Sequence, residues 1–185
     1  MKKPVKVGVV VFCLLLVLAL VATLFIPVFS INLTPHASSG EYINVTGLDM
    51  IKGLFLDGSD FATQTEGVQK IFTFLSKGQV DYTEFIIPVY MNIMLWAYVV
   101  SLGLSVLMLI FTIFNFFGRR FSVLNVMSGL MLFLCGAVMC VCVLLQNGEY
   151  VSNAVIFYNI KVSFGAVMTL VIGFMYMMFA PKKRI

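Results

Sequence analysis

His36, the four cysteines and the charged residues Glu149 and Lys161 are the side chains with which this chain could ligate a metal, attack a substrate or move a proton. His36 is the only histidine, set in the polar stretch "FSINLTPHASSGEYINVTG" (29–47). No cysteine or carboxylate lies within metal-ligand spacing of it, and a zinc or iron site needs three or four such donors. Cys140 and Cys142 are two apart on an expected helix, so they point about 200° from each other and cannot share an ion. Cys13, Cys135, Cys140 and Cys142 all fall inside apolar runs, where free thiols behave as small hydrophobes. Nucleophile-elbow, HExxH, phosphate-loop and dinucleotide-binding patterns are all missing from the sequence. The expectation is a non-enzymatic protein with no catalytic residue, no cofactor and no metal.

Lys161 lies near the outer end of an apolar run, and two readings of it are open. It can snorkel to lipid headgroups on its four-carbon stem, or it can form an outer-rim ion pair with Glu149, Asp81 or Glu84. Asn32 and Asn44 begin Asn-x-Thr triplets, which accept glycans only in a eukaryotic secretory pathway.

The elements that would carry these residues are set by composition. Of 185 residues, 61% are hydrophobic and 11% charged, against about 25% charged in a soluble domain. That much apolar surface calls for lipid as solvent. Four runs suit membrane-crossing helices: 7–29, 86–117, 121–146 and 159–180. The second is too long for one straight span, and its first turns near Pro88 are expected to lie at the interface or to kink. The first run exceeds a signal-peptide core and lacks a small-x-small cleavage pattern, so it reads as a retained helix.

Basic residues set the orientation. Lys2, Lys3 and Lys6 precede the first run, Arg119 and Arg120 separate the second and third, and Lys182, Lys183 and Arg184 follow the fourth. With four spans all three clusters share one side. The positive-inside rule then places residues 1–6, the 118–120 turn and the 181–185 tail in the cytoplasm, and 30–85 and 147–158 outside. The expected fold is therefore an all-α integral protein of the plasma or cytoplasmic membrane. It is a four-helix transmembrane bundle with a small mixed α/β extracytoplasmic cap between helices 1 and 2. The net charge of +4 resides in these end clusters. No basic face with groove-reading elements accompanies it, so nucleic acid is not an expected partner.

Small and weakly polar residues form one stripe per span. Ala97, Ser101, Ser105 and Thr112 share about 80° of arc at 100° per residue. Asn125, Gly129, Gly136 and Cys140 align on the third span, Gly165, Thr169, Gly173 and Tyr176 on the fourth, and Gly8, Ala19, Ala22 and Thr23 on the first. Such residues let helices approach closely in lipid, within one copy or against a partner helix.

In the outer segment "GEYINVTG" reads as a short strand ending in a turn. Thr46 and Asp49 have the spacing of a capping box for a following helix, whose expected apolar face is Leu48, Ile51, Leu54 and Phe55. Phe61, Val68, Ile71, Phe72 and Leu75 recur at helical spacing further on. Leu48, Ile51, Phe55, Phe61, Val68, Ile71, Phe72 and Leu75 are the candidate partner-binding residues of the cap.

A short N-terminal tail, a large first outer loop, a tight inner turn, a small second outer loop and a basic tail together resemble the layout of claudin and tetraspan-type proteins. The likeness covers the whole chain as topology. Claudins carry a tryptophan, a Gly-Leu-Trp and a cysteine pair in the first outer loop. Residues 30–85 contain neither tryptophan nor cysteine, and Trp96 lies in the second span. Tetraspanins place a cysteine-rich loop where this chain has only "NGEYVSN". Neither family's site residues carry over. The sequence thus points to an accessory or scaffold protein presenting a cap to a partner membrane or surface protein. The alternative is an oligomeric pore or transport component lined by the Ser101/Ser105/Thr112 or Gly165/Thr169/Gly173 stripes.

Overall fold

The computed structural model describes residues 7–32, 42–54, 80–81, 84–85, 89–117, 122–152 and 159–180. In chain order these form α1 (Val7–Ala22), β1 (Pro27–Asn32), β2 (Tyr42–Thr46), α2 (Gly47–Leu54), β3 (Val80–Asp81), β4 (Glu84–Phe85), α3 (Val89–Phe116), α4 (Ser122–Ser152), β5 (Asn159–Val162) and α5 (Phe164–Phe179). The molecule is mostly helical, with a small three-stranded antiparallel sheet in the order β2-β1-β5 and a separate β3–β4 pair.

Helix α1 packs against α3 and α5, and α4 against α3 and α5, so the four long helices close into a ring. Phe12 near the start of α1 meets Phe179 at the end of α5, edge to face with ring centroids 5.4 Å apart. The start of α1 and the end of α5 lie at one end, with the end of α3 and the start of α4 joined to them through Tyr176, and the sheet lies at the other. Two buried clusters fill the interior. One, at the sheet end, joins Val28, Phe29, Val45 and Met50 to Met94, Leu95, Tyr98, Met139, Val143 and Ala166. The other joins Cys13, Val17 and Leu20 to Met108, Leu132, Ile172 and Tyr176.

Asn92–Phe114 and Val123–Gln146 are each long and apolar enough to cross a membrane. Helices α1 and α5 have 16 residues apiece, about 24 Å at 1.5 Å per residue. Both differ from the sequence expectation. The run read as one helix over 7–29 is helical only to Ala22, and its last residues are strand. Pro27 has no N–H to give and disfavours helical geometry in the residue before it. The run read as a helix over 159–180 begins instead with a strand, whose Phe29↔Val162 and Ser30↔Lys161 pairings to β1 capture it. The outer loop expected from 147 starts later, because α4 continues to Ser152. The cap is also not confined to the segment between the first two long helices, since β5 completes its sheet. Helix α3 lies within its expected limits.

The capping box forms as read. The Thr46 N–H donates to Asp49 Oδ2 at 3.0 Å, and the Asp49 N–H donates to Thr46 Oγ1 at 3.3 Å. The Thr46 hydroxyl also donates to Asp49 Oδ2 at 2.7 Å. Asp49→Ala removes the two bonds that Thr46 donates to the carboxylate, keeps the backbone bond from residue 49 to Thr46 Oγ1, and is expected to cost about 1 kcal/mol. Faster amide hydrogen exchange across α2 would register the loss.

Candidate functional site

A few residues build the place where the sheet and α2 sit on the helix ends. At the end of α1 the Thr23 hydroxyl donates to the Leu20 carbonyl at 2.6 Å. With that proton committed, the contact of 3.2 Å between Thr23 Oγ1 and the Tyr98 hydroxyl has tyrosine as donor. Tyr98, on α3, is fully buried. Its ring tip lies against Gly47, where any Cβ would overlap the tyrosine hydroxyl and come within 2.8 Å of the Thr23 carbonyl. The next amide, Leu48 N–H, donates to the Leu24 carbonyl at 2.9 Å. So α2 begins in direct contact with the end of α1 and the side of α3.

From the same junction Val28 and Phe29 turn fully inward. The Ser163 N–H donates to the Val28 carbonyl at 3.0 Å, tying the start of α5 to β1. Gly165 gives β1 its seat, since a Cβ there would lie 2.9 Å from the Pro27 carbonyl. The opposite face of the sheet is polar. Ser30 Oγ donates to Asn44 Oδ1 at 2.8 Å and lies 2.6 Å from Ser163 Oγ. Lys161 Nζ lies 4.4 Å from the centroid of the Tyr42 ring. That position is one the sequence did not suggest. The Glu149, Asp81 and Glu84 side chains, offered as its partners, lie outside the described residues.

The expected cap face is only partly as read. Ile51 packs against the sheet-end cluster, but Leu48 is 40% exposed and the residue that anchors α2 is Met50, fully buried. Phe55, Phe61, Val68, Ile71, Phe72, Leu75 and His36 lie outside the described residues. Asn44 is exposed on β2, and the Thr46 of its triplet is engaged by Asp49. Among the described residues no group of three or more His, Cys, Asp and Glu could hold a metal ion.

The small-residue stripes are brought together inside a single copy. Ser101, Ser105, Thr112 and Thr169 are buried, and Ala97 packs against the sheet-end cluster. Their hydroxyls donate to carbonyls of their own helices: Ser101 to Tyr98, Ser105 to Leu102, Thr112 to Met108 and Thr169 to Gly165, at 2.6–2.9 Å. The buried Tyr176 hydroxyl lies 3.2 Å from Thr112 Oγ1, 3.3 Å from the Met108 carbonyl and 3.5 Å from Asn125 Oδ1, joining α3, α4 and α5. Gly129, Gly136 and Gly173 sit where α4 and α5 touch backbone to backbone. The first-span stripe holds only in part: Gly8 and Ala22 are exposed, Gly8 with nothing near the position of a Cβ.

Sequence reasoning missed the Thr23–Tyr98 contact, Met50 and strand β5. For β5 a signal existed in the alternation of "NIKV" with its β-branched Ile160 and Val162. For the other two there was none, because they depend on which helices meet. No family model matches the chain, and neither a curated protein nor a solved structure is similar to it.

Proposed function

We propose that the chain is a four-span membrane protein with both termini cytoplasmic, acting without catalysis as an accessory or scaffold that presents its cap to a partner membrane or surface protein. One observation carries the membrane part of this reading: the polarity of the helices is inverted relative to a soluble bundle. Outward positions on all four long helices are apolar, among them Val11, Leu15 and Leu18 on α1, Val106 and Ile113 on α3, Leu134 and Val141 on α4, and Val171 and Phe174 on α5. The polar residues Thr23, Ser101, Thr112, Asn125, Gln146 and Thr169 are the ones buried. Water penalises that arrangement along the whole length of the helices, whereas lipid favours it.

The position of the ends agrees. All three basic clusters adjoin the end opposite the sheet, as the positive-inside rule requires of a cytoplasmic side. Where α1 and α5 fall short of a hydrocarbon core of about 30 Å, β1 and β5 carry the chain onward, β1 paired on both sides and β5 on one. The burial of the serine and threonine stripes within one copy favours the accessory reading over an oligomeric pore, because those hydroxyls already have intrahelical partners.

A mild-detergent pull-down from native membranes, with a C-terminal tag, tests the role. The expected result is a stoichiometric partner protein, lost when residues 56–79 are replaced by a Gly/Ser linker that leaves the sheet and α2 intact. A homo-oligomer alone, insensitive to that replacement, would sink the accessory reading and revive the pore.

A further inference from the structure

We infer that the polar face of the β2-β1-β5 sheet is a binding site for the phosphate of an anionic lipid headgroup in the outer leaflet, with Lys161 and Asn44 as its donors. The inference rests on the membrane reading above and adds a ligand to the cap. The sheet is two-faced. Phe29 and Val45 are buried against the helices, with Val162 packed beside them, while Ser30, Asn44, Tyr42 and Lys161 stand on the other side. Lys161 is the only charged residue in the three strands.

The hydrogen bonds on that face run in one direction. Ser30 donates to Asn44 Oδ1, and a hydroxyl has a single proton. In the Ser30–Ser163 contact of 2.6 Å the donor is therefore Ser163. The row Ser163, Ser30, Asn44 consumes its hydroxyl protons internally and ends on the Asn44 amide nitrogen, a donor group. Lys161 pairs with Ser30 in the sheet register, yet its ammonium reaches across the central strand to the Tyr42 ring on β2. Tyr42 and Asn44 are two apart on one strand, so their side chains share a face. The cation is thereby held on the side of the sheet where the amide donor ends the row. An ammonium over a ring keeps N–H groups free for an anion. Donors of this kind, one charged and one neutral, suit a phosphate oxygen.

Position selects a lipid as the source of that phosphate. Phe164, the residue after Ser163, is 65% exposed, and Phe25, two residues before Pro27, is 74% exposed. Bare aromatic rings on residues that adjoin the strands in sequence suit the boundary at which acyl chains give way to headgroups. A phosphate anchored to two acyl chains fits both levels together. Free phosphate fits only one.

The test is native mass spectrometry of the full chain released from mixed phosphatidylglycerol/phosphatidylcholine nanodiscs, counting retained lipids. Wild type is expected to retain phosphatidylglycerol preferentially. Lys161→Gln should lower that preference about fivefold, the effect of one cation at a lipid surface, and Lys161→Arg should preserve it. Asn44→Ala, which keeps the charge, should lower it less but measurably. A preference unchanged in Lys161→Gln, with the variant eluting as wild type on gel filtration, overturns the site and leaves the membrane reading standing. Competition by excess inorganic phosphate would overturn the lipid as ligand. A chain that stays soluble and monodisperse without detergent overturns the site and the membrane reading together.

Discussion

Gly136→Val and Gly173→Val are each expected to stop α4 and α5 from docking, the largest loss any single substitution outside the cap should produce. A Cβ at Gly136 would lie 2.5 Å from the Leu170 backbone nitrogen and 2.6 Å from its Cα, and at Gly129 2.7 Å from the Met177 nitrogen. From the other helix, a Cβ at Gly173 would collide with the Phe133 backbone. These obstacles are main chain, so no rotamer change relieves them and the helices must separate. Overpacking a core costs about 1–3 kcal/mol even where side chains can yield. Alanine is expected at the top of that range, and valine beyond it. The contrast is Gly103, also on a long helix but with nothing within 4 Å of its Cβ position. Gly103→Ala should leave stability unchanged or raise it by about 0.5–1 kcal/mol. Unfolding midpoints in a graded detergent series, with gel filtration of each variant, would measure these effects. Equal tolerance of Gly136→Val and Gly103→Ala would show that the α4–α5 seam is looser than described.

These glycines also show what the sequence made legible. Spacings of seven between Gly129 and Gly136, and of eight between Gly165 and Gly173, place small residues on one side of each helix whatever their surroundings, so the stripes could be read before any packing was known. The Thr46–Asp49 box was legible for the same reason, being complete within four residues. What stayed hidden depends on distant chain. Pro27 argues against continuing the helix, but nothing near Pro27–Asn32 says that its apolar residues pair with Asn159–Val162. Both readings bury Val28 and Phe29, and only the long-range register Phe29↔Val162 decides. Helix α2 failed differently. Its 8 residues make barely two turns, too few for periodicity to choose between the side holding Leu48 and the side holding Met50. The junction with α1 and α3 made that choice. Lys161 is the same lesson on the polar face, since its position over Tyr42 follows from strand pairing and not from any neighbour in sequence.

Tyr98→Ala is expected to unseat the cap while leaving the half of the bundle away from the sheet in place. Tyr98 is the point at which three elements meet: its own helix, the end of α1 through Thr23, and the start of α2 through Gly47. Truncating a fully buried aromatic to alanine costs about 3–5 kcal/mol when the surroundings cannot collapse. Here they cannot collapse freely, because Thr23 and Leu24 are held by the α1 backbone and Met50 fills the adjacent space. Tyr98→Phe keeps the ring and removes only the bond to Thr23. The Thr23 hydroxyl still donates to the Leu20 carbonyl, so no buried donor is orphaned and the cost should be about 1 kcal/mol. The second buried cluster, around Met108, Leu132 and Tyr176, shares no residue with the first. Amide exchange should therefore accelerate across 42–54 in Tyr98→Ala and stay slow around Met108 and Ile172. A cap presented to a partner must be held in one orientation, so the same variant should also lose the partner in the pull-down, whereas Tyr98→Phe should keep it. Uniform acceleration through both clusters would mean that cap and bundle unfold as one unit, and Tyr98 would then be an ordinary core residue rather than the seat of the cap.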